Sequence, residues 1–204
     1  MSLVPDHLVV CVIDLEEANE MFANRHGLAS VEGGRHHGHG TANRIVPLGD
    51  TYIELVAVVD GTESVDSPFG SWVSSQAAGP TRVNALCLRT DDIDSVANDR
   101  EIEVVAMSRA RPDSSTLSWR VAGIERTIAD SYPFFIEWSV PDSELPGRTS
   151  IDHRAGVAHL DSVELKGDGE ALKSWVSGAS KVTVTSGSQE IDAAISTSTG
   201  VVRI

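Results

Sequence analysis

The chain has 204 residues, 41% hydrophobic and 23% charged, enough for one large domain or two small ones with a real core. Thirty acidic against sixteen basic residues leave a formal charge of −14, which argues against nucleic-acid and anionic-membrane partners, because both need clustered positive charge. No segment approaches the roughly 20 apolar residues of a membrane helix, the N-terminus lacks a basic signal-peptide region, and Cys11 and Cys87 sit in apolar runs as reduced thiols do; a cytoplasmic protein is expected.

His7 to Ile13 is a compact, β-branched apolar run and predicts a strand. Asp14 with Glu17 three residues later makes a capping box, and Leu15, Ala18, Met21 and Phe22 follow at helical spacing, with Gly27 as the C-cap. The spacing predicts a helix over 14–26. Gly33, Gly34, Gly38 and Gly40 mark turns or close backbone approaches. Strands are predicted at Arg44–Leu48 and Thr51–Val59, joined at Gly49-Asp50. Residues 61–81 read as a linker with at most a helical turn around Phe69 and Trp72.

The opening pattern then returns. Val83–Leu88 predicts a strand, Asp92 caps a short helix carrying Ile93, Val96 and Ala97, and strands follow at Glu103–Met107, Leu117–Val121 and Phe134–Val140. Superposing the caps sets Asp14 on Asp92 and His7 on Ala85. The last strands align as Tyr52-Ile53-Glu54-Leu55 with Phe135-Ile136-Glu137-Trp138, five residues further along than at the first strand. The expected organisation is a βαβββ module over 1–60, the linker, a second module over 82–141, a connector over 142–156, and a βαβββ-like module or edge extension over 157–204.

Side chains alternate across a strand. With Ile53 and Leu55 packed on the helix stripe, His7 and Glu54 turn toward a shared concave surface. The five-residue alignment gives Glu137 the same orientation and leaves Ile136 and Trp138 facing the helix. One imidazole and two carboxylates suit a divalent metal with open positions; the same residues also read as a strand-end histidine and two salt-bridged glutamates. Alternation places Asp6 and His7 on opposite sides, so they are not expected to act as a pair. Nucleophilic catalysis has no support: Cys11 is in a hydrophobic run, and neither a Gly-x-Ser-x-Gly elbow nor a phosphate-binding Gly-rich loop is present.

Residues 5–140 carry a more specific pattern: His7 in the first strand, Gly33-Gly34, the run from His36 to Gly40, then Thr41, Asn43 and Tyr52-x-Glu54-Leu55. This resembles the glyoxalase-like branch of the vicinal-oxygen-chelate superfamily, which includes glyoxalases, bleomycin-resistance proteins and dioxygenases. The resemblance implies an α+β fold of paired βαβββ modules forming a cupped mixed sheet. It also implies a metal (Fe, Mn, Zn or Ni) held by His7, Glu54 and Glu137, with Ala85 standing where a second histidine belongs. No nucleotide cofactor is expected.

His37 and His39, if extended, point the same way and can touch a ligand; a solvated loop is the alternative. Thr41 and Asn43 offer uncharged hydrogen bonds to a substrate, or cap turns. Arg109, Arg111 and Arg120 can clamp an anion or pair with the surplus carboxylates, and Trp119 is either core or a stacking platform. The resulting expectation is a cup for a small oxygen-rich metabolite, with metal-assisted lyase, isomerase or dioxygenase chemistry in which Glu54, Glu137 and His37 move protons. The alternative is a metal-free binding or sequestering protein, and either reading is compatible with a homodimer.

Overall fold

A computed structural model describes residues 2–110 and 116–204, with only the backbone described at 109 and 110. The first module runs β1 (Val4–Cys11), α1 (Leu15–Met21), β2 (Val31–His36), β3 (Thr41–Pro47) and β4 (Tyr52–Val58). Asp14 caps α1 by accepting the Glu16 and Glu17 amides. The helix widens into one π-type turn over Phe22–His26 and stops at Gly27, whose φ of 70° a side chain would resist.

Two helices, α2 (Gly61–Val65) and α3 (Pro68–Ala77), occupy the segment expected to be a linker. Ser67 caps α3 and Pro68 opens it, a favoured start because proline has no amide hydrogen to leave unpaired. The second module is β5 (Ala85–Arg89), α4 (Ile93–Arg100), β6 (Val104–Ala110), β7 (Thr116–Ala122), α5 (Ile124–Asp130) and β8 (Phe134–Trp138). The βαβββ order required β2, although no residues had been assigned to it, and α5 was not anticipated from sequence.

Eight strands form one mixed sheet in the order β2-β3-β4-β1-β5-β8-β7-β6. Within each module the first strand pairs parallel with the last, β1 with β4 and β5 with β8. The modules join within the chain through antiparallel β1 and β5, with Val9 opposite Ala85. This is the expected α+β architecture of paired modules in a cupped sheet.

The C-terminal segment runs β9 (Ala158–Gly167), α6 (Gly169–Trp175), β10 (Val182–Ser186), β11 (Glu190–Thr197) and β12 (Gly200–Arg203). Its element order repeats the module, but its first strand pairs parallel with β10 and antiparallel with β11, giving a separate four-stranded sheet. Leu160, Val163 and Leu165 of β9 share one core with Leu8, Val10, Leu55 and Phe135 of the large sheet and with Phe22 and Val96 from the α1 and α4 segments. The convex face of the cup is thereby buried, and the concave face is left to enclose a cavity. Among the described residues no helix is long and apolar enough to cross a membrane.

Candidate active site

The cavity has a volume of about 370 Å³, within the range of small-molecule sites. The sheet supplies its floor and walls, while Phe69 and Trp72 of α3 and Ile124 and Ile128 of α5 also line it. Most of the lining is apolar, with Met107, Trp119, Val121, Ile136 and Trp138 from the second module; the Trp119 and Trp138 rings lie 5.5 Å apart. The polar lining residues from the first module are His7, His36, His39, Asn43 and Glu54.

Glu54 is the buried carboxylate of this surface. One oxygen, Oε1, accepts a hydrogen bond from Asn43 Nδ2 and lies 3.6 Å from His36 Nε2; the other, Oε2, lies 3.8 Å from His7 Nε2. Asn43 is oriented by its own Oδ1, which accepts the Gly34 amide at 2.8 Å. A Cβ on Gly33 would fall 2.0 Å from that Oδ1, so the glycine at 33 is the local condition for placing Asn43 against Glu54. With the Asn43 amide nitrogen 3.3 Å from His36 Nε2, that nitrogen accepts, and His36 Nδ1–H donates to Thr41 Oγ1 at 3.0 Å. The His7 ring stacks on Tyr52 at 4.6 Å and meets the Phe134 edge at 5.5 Å.

Asp6 is also part of this cluster, contrary to the alternation argument. The β1–β5 register moves from Pro5 opposite Leu88 to His7 opposite Cys87, leaving Asp6 as the extra residue of a bulge. Bulges re-aim side chains, and here Asp6 Oδ1 comes to 2.7 Å from His7 Nδ1. Its Oδ2 accepts the Trp138 indole N–H at 2.9 Å, with Arg89 Nη1 3.6 Å away.

A model of the glyoxalase-like domain family matches residues 6–179. The chain belongs to that family, a branch of the vicinal-oxygen-chelate superfamily. A crystallised hypothetical protein from Staphylococcus aureus shares the fold with a TM-score of 0.69 at 16% identity, covering 98% of each chain. Methylmalonyl-CoA epimerase from Mycobacterium tuberculosis aligns at 17% identity over 67% of this chain and 88% of its own, with a TM-score of 0.48. The Streptomyces coelicolor epimerase in complex with 2-nitronate-propionyl-CoA aligns at 16% identity over 68% and 97%, with a TM-score of 0.49. No curated protein matches the chain significantly.

Several expected site residues of this glyoxalase-like chain lie elsewhere. Glu137 is outside the cavity lining, and Arg120 Nε donates to its Oε2 at 2.8 Å; Arg120 also binds Asp94 at 2.9 Å. The inward residues of β8 are Phe134, Ile136 and Trp138, the reverse of the expected assignment. The cause is register: His7 pairs with Tyr52 and Cys87 with Phe134, so the second module is two residues longer between these strands, not five. An odd offset inverts the face of every residue on a strand. Counted from the aligned caps, Phe134 occupies the place of Glu54.

Arg120 accordingly faces away from the cavity, while Trp119, its neighbour in sequence, lines it. His37 is exposed at the hairpin tip and outside the lining, and the run is a turn rather than extended, with Gly38 and Gly40 at φ 80° and 63°. His36, closing β2, takes the inward position. His39 reaches the cavity rim and is 2.8 Å from Ser67 Oγ; burial holds its imidazole below the usual range against a weaker upward pull from Glu63. Thr41 is buried behind His36 and is not itself in the lining. The side chain of Arg109 and all of Arg111 lie outside the described residues.

The first module turns three ligand-type residues to the cavity: His7 Nε2, Glu54, and His36 Nε2, which lies 3.6 Å from Glu54 Oε1 and is already engaged by the Asn43 amide. The second offers Ala85 and Phe134, neither of which can ligate. Asp6, His7 and Cys87 bring three ligand-type atoms within 4.8 Å of one another. However, Asp6 is already committed to His7 Nδ1–H and the Trp138 indole, and burial, followed by the charges of Asp6 and Glu54, pushes the Cys87 thiol up, away from the thiolate a metal requires. The Asp6, His7 and Cys87 set therefore does not fit an open catalytic metal site; His7, Glu54 and His36 are the residues that would hold a divalent ion at the cavity, with no ligand from β5 or β8.

Proposed function

We propose that this glyoxalase-like protein binds a small, largely apolar hydroxycarbonyl compound in the cup, with its oxygen-bearing head against Glu54 and His7. In this reading Glu54 takes the proton from the carbon beside the carbonyl and returns it, which is isomerase- or lyase-class chemistry. The observation that carries it is the convergence of Glu54 Oε2 and His7 Nε2, 3.8 Å apart, on the polar side of a mainly apolar cavity. Proton abstraction there needs a positioned carboxylate and shelter from water, and both are supplied by this chain. An unassisted, binding-only role is the second reading, favoured by the Asn43 amide that engages one oxygen of the base.

The test uses α-hydroxy ketones with aliphatic or aromatic tails in D2O, following loss of the adjacent C–H signal by NMR. Wild-type protein is expected to catalyse exchange. Glu54→Gln is expected to retain binding and to exchange at least ~10²-fold more slowly, the usual scale for losing a general base. Saturable binding without exchange would establish the sequestering reading, and absence of binding by the whole panel would overturn both.

A further inference from the structure

We propose that Asp6 is a positioning residue of the cup, fixing the His7 imidazole with Nδ1–H directed at the bulge and a bare Nε2 directed at the cavity. The inference deepens the reading of His7 and Glu54 as the groups that meet the ligand's head.

Asp6 is 2% exposed and is engaged from three sides. His7 Nδ1 stands 2.7 Å from Oδ1, the Trp138 indole donates to Oδ2 at 2.9 Å, and Arg89 Nη1 lies 3.6 Å from the same oxygen. An ionised carboxylate only accepts hydrogen bonds, so the proton in the Asp6–His7 contact belongs to Nδ1. The indole is only a donor and holds Oδ2 in place. The stack on Tyr52 and the Phe134 edge keep the ring from turning over. Asp6 and His7 come from the first module, Arg89 and Trp138 from the second, so the arrangement exists only when the two are paired.

The consequence concerns ligand class. In the neutral ring Nε2 is left bare, so it and Glu54 Oε2, 3.8 Å apart, are two neighbouring acceptors on the cavity surface. Such a pair receives a hydroxyl or amine proton and disfavours a carboxylate or phosphate head, which brings only acceptors and negative charge.

The test is long-range nitrogen–proton NMR of the histidines in ligand-free protein at pH 8, with His7 assigned by comparison with His7→Gln. Wild-type His7 is expected to show a protonated Nδ1 and a bare Nε2. In Asp6→Asn the single amide oxygen is claimed by the Trp138 indole and the NH2 group turns to Nδ1, so the proton is expected to move to Nε2. In Asp6→Asn with Trp138→Phe, the oxygen is released to His7 and the original tautomer is expected to return. A bare Nδ1 in wild type overturns the proposal without recourse to any variant, as does an unchanged tautomer in folded Asp6→Asn. Cobalt(II) provides a further arm: a thiolate-to-cobalt absorption band on wild-type protein would make Asp6, His7 and Cys87 a metal site and overturn the positioning role. Because no ligand is present, these results stand or fall separately from the exchange assay.

Discussion

The contact between Asp6 and Trp138 joins the two modules beneath the cavity, and its strength follows from its environment. The indole N–H meets an almost fully buried carboxylate at 2.9 Å, and hydrogen bonds to charged groups contribute roughly 1.5–3 kcal/mol. Trp138→Phe removes this bond together with some ring contact, and Asp6→Ala leaves the donors of His7 and Trp138 and the Arg89 guanidinium facing an empty position. Breaking a buried charged arrangement on one side costs about 3–5 kcal/mol, so Asp6→Ala is expected to be the more destabilising of the two. A double-mutant cycle cancels the lost ring contact and isolates the pair. Urea denaturation of the four proteins should return a coupling energy of about 1.5–3 kcal/mol with unchanged m-values. A coupling below about 0.5 kcal/mol would refute the claim that this bond pins Asp6.

Three further outcomes follow from other parts of the molecule. Burial pushes the thiols of Cys11 and Cys87 up; the unfolded thiols therefore ionise first, and stability present below their ordinary pKa of about 8.5 is lost as pH rises above it, with each thiol contributing a slope approaching ~1.4 kcal/mol per pH unit. Cys11→Ala should flatten that decline in chemical denaturation run from pH 7 to 10, and an unchanged slope would contradict the assignment. A Cβ on Gly70 would fall 2.4 Å from the His39 carbonyl oxygen and 2.7 Å from that of Ser64, so Gly70→Ala should shift α3 and cost about 1–3 kcal/mol, read from the urea midpoint together with weaker ligand binding. Arg120→Ala removes two partly exposed ion pairs, with Glu137 and Asp94, away from the cavity and should cost about 1 kcal/mol or less while leaving ligand affinity unchanged; a selective loss of anionic ligands would place this arginine at the site instead.

The parts of the fold legible in sequence are those governed by local chemistry. The Asp14 cap and the stripe of Leu15, Ala18 and Phe22 mark α1 without tertiary information, and the apolar β1 and β5 runs are similarly plain. His7 and Glu54 came together as expected because their strands are direct neighbours, with Glu54 paired across from Val9. Glu137 was misplaced because the face of a strand residue depends on register, which only the pairing of Cys87 with Phe134 reveals. Asp6 was set aside as a partner of His7 because regular alternation was assumed where the bulge breaks it, although Pro5 inside a strand was a usable signal, since proline is confined to edges and irregularities of sheets. His36 was overlooked in favour of His37 because the hairpin closes at the His36–Thr41 pair and leaves the next histidine in the turn. Helix α3 has weak periodicity, but Ser67-Pro68 is a start signal; α5 is short, and its burial depends on the cavity it roofs.

The central claim is that Glu54 and His7 form the end of the cup that recognises a ligand's hydroxyl-bearing head. Three of the four tryptophans, Trp72, Trp119 and Trp138, line the cavity, so intrinsic fluorescence can report affinity for a hydroxy ketone and for its deoxy analogue with the same tail. The account predicts at least ~10-fold tighter binding of the hydroxylated compound, because the analogue leaves buried polar groups without a partner, and predicts that this preference collapses in Glu54→Gln. Equal affinities in the wild type, or a preference that survives the substitution, would contradict it.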